Sequence, residues 1–145
     1  MRADLFLSTS SYKLQLEKMI ETPCRMLRSI QMLDDTTVEI VFNDGILIEL
    51  EDMKDGYVVL HEFTKGKPMK KLLITGKRTE ISKEARLFGH EQSLKHKDQV
   101  IAEAIIVHSL YQKMIINFYT RFIKDSYPTR FFTDYDKAKE WLKAF

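Results

Sequence analysis

The sequence predicts an α/β fold with a mixed β-sheet, and three observations carry that prediction. Two stretches of alternating apolar and polar residues, 26–33 and 37–50, open the folded part of the chain. Beyond Leu50 the apolar spacing lengthens to the three or four residues of a helix. From there short apolar runs alternate with helical stretches, which is the ordering of buried strands and the helices that cover them.

Taken in order, Met26–Leu33 alternates in part and stops at Asp34 and Asp35, as a first strand would. Val38, Ile40 and Phe42 share one face of a second strand, and Ile46, Ile48 and Leu50 one face of a third. Asn43, Asp44 and Gly45 lie between those two, and Gly accepts the positive φ of a tight turn, so the opening hairpin is expected there. Leu50, Met53, Tyr57, Leu60 and Thr64 then recur at helical spacing. Glu51, Asp52 and Asp55 sit near the positive end of that helix, and Gly66 and Pro68 end it.

Lys70–Gly76, with the apolar core Leu72–Ile74, reads as a buried strand and Gly76 to Ile81 as a polar loop. Ser82 caps a helix over Lys83–Phe88 that Gly89 is expected to close, and the polar stretch 90–98 leaves room for a short helix. Ala102–Val107 is a further buried strand, and Leu110–Lys124 a long helix. Pro128 opens the strand Thr129–Phe132. Thr133 is the expected cap of a final helix packed down by Trp141, Leu142 and Phe145. The total is an opening hairpin, a mixed sheet and about four helices.

At 145 residues the chain suits one domain. Pro23 interrupts any helix through Lys13–Ile20, so residues 1–24 read as an N-terminal appendage and 25–145 as the domain. Hydrophobic residues at 44% against 30% charged exclude wholesale disorder, and a net charge of +2 is too small by itself to argue for nucleic acid, which is not an expected partner. Cys24, the only cysteine, has no partner for an internal disulfide. No run approaches the roughly 18 apolar residues of a transmembrane segment, and no signal-peptide pattern opens the sequence, so the expected location is cytoplasmic.

No assembled chemistry is legible, and the expectation is a protein that is not an enzyme. His61, His90, His96 and His108 lack metal-ligand spacing, and no metal or cofactor is implied. His90 and Glu91, adjacent in sequence, read as a solvated pair. His108 and Ser109 end a strand on the side where α/β sheets place ligands, so they are candidate ligand contacts. Lys65, Lys67, Lys70, Lys71, Lys77 and Arg78 form a basic segment without interleaved aromatics, read as two solvated loops flanking one strand.

The helix 110–124 is more apolar than a single packed stripe of about 100° requires. Leu110, Met114, Phe118 and Phe122 are its candidate interaction face. A face of that kind is covered by the N-terminal appendage, a second copy in a homodimer, another protein, a lipid surface or an apolar ligand.

Four segments carry a resemblance across residues 33–145: Phe42–Lys54, Ile81–Arg86, Ala104–Ser109 and Tyr127–Leu142. In their order and motifs they resemble the STAS (anti-sigma-factor-antagonist) fold, and in particular a small bacterial STAS/SEC14-like family of unknown function. The resemblance implies a STAS-like mixed sheet and a non-catalytic regulatory module that binds protein partners and self-associates. It also places a possible phosphosite at Ser82, although Ile81 before it and Lys83, Glu84 and Ala85 after it depart from the antagonists' pattern. A plain helix cap at Ser82 is the competing reading. The SEC14 side of the resemblance implies the alternative function, binding of a small apolar ligand or lipid.

Overall fold

The computed structural model describes residues 24–109, 112–114 and 127–145. In chain order the elements are β1 (Leu27–Asp34), β2 (Thr37–Phe42), β3 (Leu47–Ile48), α1 (Leu50–Thr64), β4 (Met69–Ile74), β5 (Glu80–Ile81), α2 (Lys83–Lys95), a 3-10 turn (Lys97–Gln99), β6 (Val100–Ile106), β7 (Thr129–Phe132) and α3 (Tyr135–Leu142). Residues 112–114 are helical. The predicted helix 110–124 lies for the most part outside the described residues.

Five strands form one sheet in the order β1-β2-β4-β6-β7. β1 and β2 pair antiparallel, and every other neighbour in this sheet is parallel. β2 is buried along most of its length, as an inner strand covered on both faces must be. The sheet is thus mixed, with an antiparallel hairpin at its start.

That hairpin is not where the Asp-Gly signal put it. The chain reverses at Asp35 and Thr36, where Asp34 Oδ1 accepts from the Thr36 backbone at 2.8 Å. Gly45 does take a positive φ of 65°, but the strand after it leaves the main sheet. β3 pairs instead with β5, in parallel, as a separate two-stranded sheet (Leu47 with Glu80, Ile48 with Ile81). The reason is a long-range lock on the 43–45 loop. Asp44 Oδ1 accepts from the Lys77 backbone at 2.8 Å, Gly45 donates to the Lys77 carbonyl, and Thr79 Oγ1 donates to the Asn43 carbonyl at 2.6 Å. Gly76 lies within the locked segment, and a Cβ there would stand 2.1 Å from the Asn43 carbonyl oxygen. These contacts outweigh the local turn preference.

Two other boundaries differ from expectation. α2 runs through Gly89 to Lys95, because one Gly inside a helix costs only about 1 kcal/mol and does not stop it. The last helix is capped by Asp134, not Thr133: Asp134 Oδ1 accepts from Lys137 N at 3.0 Å. At α1, Asp52 accepts from the Glu49 backbone at 2.9 Å, and Arg25 forks onto the same carboxylate at 2.6 and 3.1 Å. That guanidinium holds the Asp52 carboxyl below the usual carboxylate range.

The sheet has two unlike sides. On one, Ile30, Val38, Ile40 and Phe42 meet Val59 of α1 and Ala85 of α2. On the other, Leu72, Ala102, Ala104 and Ile106 pack under Ala138 and Leu142 of α3. The alanines of β6 let α3 approach closely, and Phe132, Trp141 and Phe145 close its flank with ring centroids 5.8 and 4.8 Å apart.

Candidate functional site

The α1/α2 side of the sheet holds a cavity of about 1420 Å³. That exceeds the 300–1,000 Å³ or so of an ordinary small-molecule site. Its walls are mainly apolar: Ile30 and Ile40 from the hairpin, Met53 and Leu60 from α1, and Leu73 and Ile105 from the sheet. Side chains at every second position of β4 point into it, so Lys71, Leu73 and Thr75 line it while Leu72 lies in the opposite core.

Set into those apolar walls is a group of polar side chains. Lys71 and Glu103 are register partners on β4 and β6, and both line the cavity. Lys71 Nζ stands 5.8 Å above the ring of Tyr57 from α1. Tyr57 in turn meets Phe88 edge-on at 5.9 Å. Tyr127, just ahead of β7, donates to Ser93 Oγ at 3.3 Å, and Ser93 donates to the Gly89 carbonyl at 2.9 Å. His90 adds a buried Nδ1 with no hydrogen-bond partner among the described residues.

Low polarizability around these groups shows in their proton affinities. Burial lowers the Lys71 pKa, with the Glu103 charge working against that shift. Burial raises the phenol pKa values of Tyr57 and Tyr127, and Glu103 adds to both. Lys71 is half-buried and lines the cavity.

At the C-terminal ends of β4 and β6 the cavity meets a polar rim. His108 Nε2 contacts the Thr75 carbonyl at 2.5 Å, and the His108 backbone donates to Gln112 Oε1 at 2.9 Å. Ser109 Oγ accepts from Gln112 N at 3.0 Å, and Gln112 Nε2 donates to the Gly76 carbonyl at 3.1 Å. Lys77, Arg78, Lys83 and Arg86 also line the cavity on α2 and the loop before it.

Residues 31–145 match the model of a family described as a domain of unknown function, DUF7793. The chain belongs to the DUF7793 family. A solved structure similar to this DUF7793 chain is an uncharacterized protein of the DUF3478 family, with a SpoIIAA-like fold, from Shewanella loihica PV-4. The two are 22% identical over 79% of this chain and 90% of the other, with a TM-score of 0.59. At that identity the likeness is one of fold, and the DUF7793 chain has the SpoIIAA-like, STAS-like architecture. No curated protein matches the chain.

Within this DUF7793 domain the sequence-derived site residues separate. His108 and Ser109 do reach the cavity, at its rim, but the His108 ring faces a backbone carbonyl and not a carboxylate. Ser82 is the N-cap of α2 and accepts from Ala85 N at 3.1 Å. Met114 is 69% exposed, while Leu110, Phe118 and Phe122 lie outside the described residues. Among the described residues no helix is long and apolar enough to cross a membrane.

The Lys71–Glu103–Tyr57–Tyr127 group went unseen in the sequence. In the sequence Lys71 reads as one of a basic segment, and its companions Lys65, Lys67, Lys77 and Arg78 are exposed. A signal existed in the period of two: Lys71 shares the face of Leu73, and Glu103 that of Ile105. Only the strand register brings those two irregularities together.

Proposed function

We propose that this protein is a binding protein, not a catalyst, whose cavity takes a small apolar molecule of lipid type. The observation that carries the reading is the volume of about 1420 Å³ between the sheet and α1/α2, walled by apolar side chains. An apolar occupant of such a pocket gains contact with its apolar walls and removes them from water. A restricted number of polar groups within mainly apolar walls is also the composition expected of ligand pockets.

The reading as a self-associating regulatory module draws on the helix 110–124, of which the described interaction-face residue is Met114, exposed as such a face would be. The cavity supplies more, so the ligand reading is preferred.

Native mass spectrometry of gently purified protein is the test. A co-purifying apolar molecule is expected, and Leu73→Trp, which intrudes on the cavity from its wall, should weaken its retention while leaving the circular dichroism of the fold in place. Protein that carries no such molecule and fails to bind a fluorescent acyl-chain probe would overturn the proposal.

A further inference from the structure

The lining of the cavity is unevenly charged. Lys77, Arg78, Lys83 and Arg86 gather on the loop after β4 and the first turns of α2, with Glu80 as the carboxylate among them. Further back along the strands the charges balance, Lys71 beside Glu103. Lys77, Arg78 and Lys83 are exposed, and none of the three makes an ion pair among the described residues.

Two of these cations stand where the fold itself does not favour them. Arg78 takes a left-handed φ of 54°, a conformation that suits glycine and costs a residue with a Cβ. Its neighbours Lys77 and Thr79 are held by the hydrogen bonds to Asp44, Gly45 and Asn43, so Arg78 is carried on a fixed stretch of chain. Lys83 is in the first turn of α2, at the positive end of the helix dipole, where a carboxylate is favoured over an ammonium. A negative group brought by a ligand compensates the charge of all three.

We infer that the bound molecule is an amphiphile with an anionic head group, which rests on Lys77, Arg78 and Lys83 while its tail occupies the apolar cavity. The inference rests on the cavity being a ligand site, as proposed above, and adds the charge of the head and the end at which it lies. Carboxylates and phosphate monoesters share the required chemistry: each accepts several charge-assisted hydrogen bonds, and an Arg guanidinium presents parallel donors to either. The place agrees with the crevice beyond the carboxyl ends of parallel strands, where open α/β sheets take their ligands.

The probes are decanol, decanoate and decyl phosphate, which share an apolar tail, titrated into the full chain by calorimetry near neutral pH. Both anions should bind about tenfold more tightly than decanol, as several exposed charge pairs would give. That preference should shrink in about 0.5 M salt, which screens exposed charges. Decyl phosphate, with nearly two charges, should lead; decanoate in the lead keeps the anionic site and names a carboxylate as the head. Lys77→Gln, Arg78→Gly and Lys83→Gln together should cut the preference to about threefold or less, with decanol as the reference for an intact cavity. Arg78→Gly alone removes a charge together with the left-handed strain, so it should weaken both anions without lowering the denaturant midpoint. Anions that bind no more tightly than decanol in the wild type overturn the inference but leave the cavity reading intact. A preference that the triple variant leaves unchanged overturns it as well. If none of the three probes binds, the cavity reading falls together with it.

Discussion

Two glutamates, one buried on the α3 side of the sheet and one half-buried on the α1/α2 side, have opposite fates. Glu39 of β2, 7% exposed, accepts from the Tyr135 hydroxyl at 2.5 Å and from Gln31 Nε2 at 2.9 Å. Its lone pairs are occupied by groups from α3 and β1, so its charge is absorbed into the fold. Glu103 of β6 faces the cavity with Lys71 beside it but not in ion-pair contact. The α3 side has closed over its polar group, and the α1/α2 side has kept its polar groups and its volume open. Both sides carry a packed core, but only the α1/α2 side combines its core with a polar-lined cavity.

The largest effect should come from the adjacent residues Leu72 and Leu73, which face opposite sides. Leu72, with no exposed surface, is packed under α3, so Leu72→Ala should lower unfolding free energy by about 3 kcal/mol in urea titrations. Leu73→Ala, on the cavity wall, should cost about 1 kcal/mol, since much of its surface already lacks packed neighbours. Equal losses would erase the distinction between the two sides.

The charged pair gives the next test. Replacing Lys71 and Glu103 together, as Lys71→Met with Glu103→Leu, should stabilise the fold by about 1 kcal/mol, because two half-buried, partly compensated charges disappear. Lys71→Met alone should be destabilising, since it strands the Glu103 carboxylate. Denaturant midpoints of the single and double variants check both signs.

Smaller again are the helix caps. Ser82→Ala and Asp134→Ala should each cost about 1 kcal/mol. Ser82→Ala, which frays a helix lining the cavity, should also speed ligand release, whereas Asp134→Ala should not. Stopped-flow displacement of the acyl-chain probe separates the two.

The weakest effect is alkaline. Burial, reinforced by the hydrogen bond to Glu39, pushes the Tyr135 phenol from 10.0 up to about 12. The unfolded chain therefore loses that proton first. The stability this group contributes is fully present below pH 10 and is lost as pH rises towards about 12. Tyr135→Phe should flatten that part of the stability curve, measured by urea midpoints across the range.

How far the sequence could be read follows from how local each signal was. The period of the helix 50–64, the Ser82 cap and the strand after Pro128 depend on residues close together in the chain, and all three appear as expected. The STAS-like order of elements was legible for the same reason. The Asp-Gly turn misled because its partners, Lys77 and Thr79, are more than 30 residues away and overrode it. α2 outran Gly89 because a glycine weakens a helix without forbidding it. The candidate site was the least legible part. His108 and Ser109 do lie just past the end of a strand, but Lys71, Glu103, Tyr57 and Tyr127 come from three elements and the segment ahead of β7, and they meet only through the tertiary fold.

The lock between 43–45 and 76–79 constrains how this protein can vary. A methyl group at position 76 would collide with the main chain of Asn43, and three hydrogen bonds tie the flanking residues in place. Extra residues introduced in either segment would tear the small sheet from the large one. The connection from Lys65 to Pro68, at the opposite end of β4, carries no such tether to another loop among the described residues. Evolutionary lengthening, or an engineered fusion, belongs there.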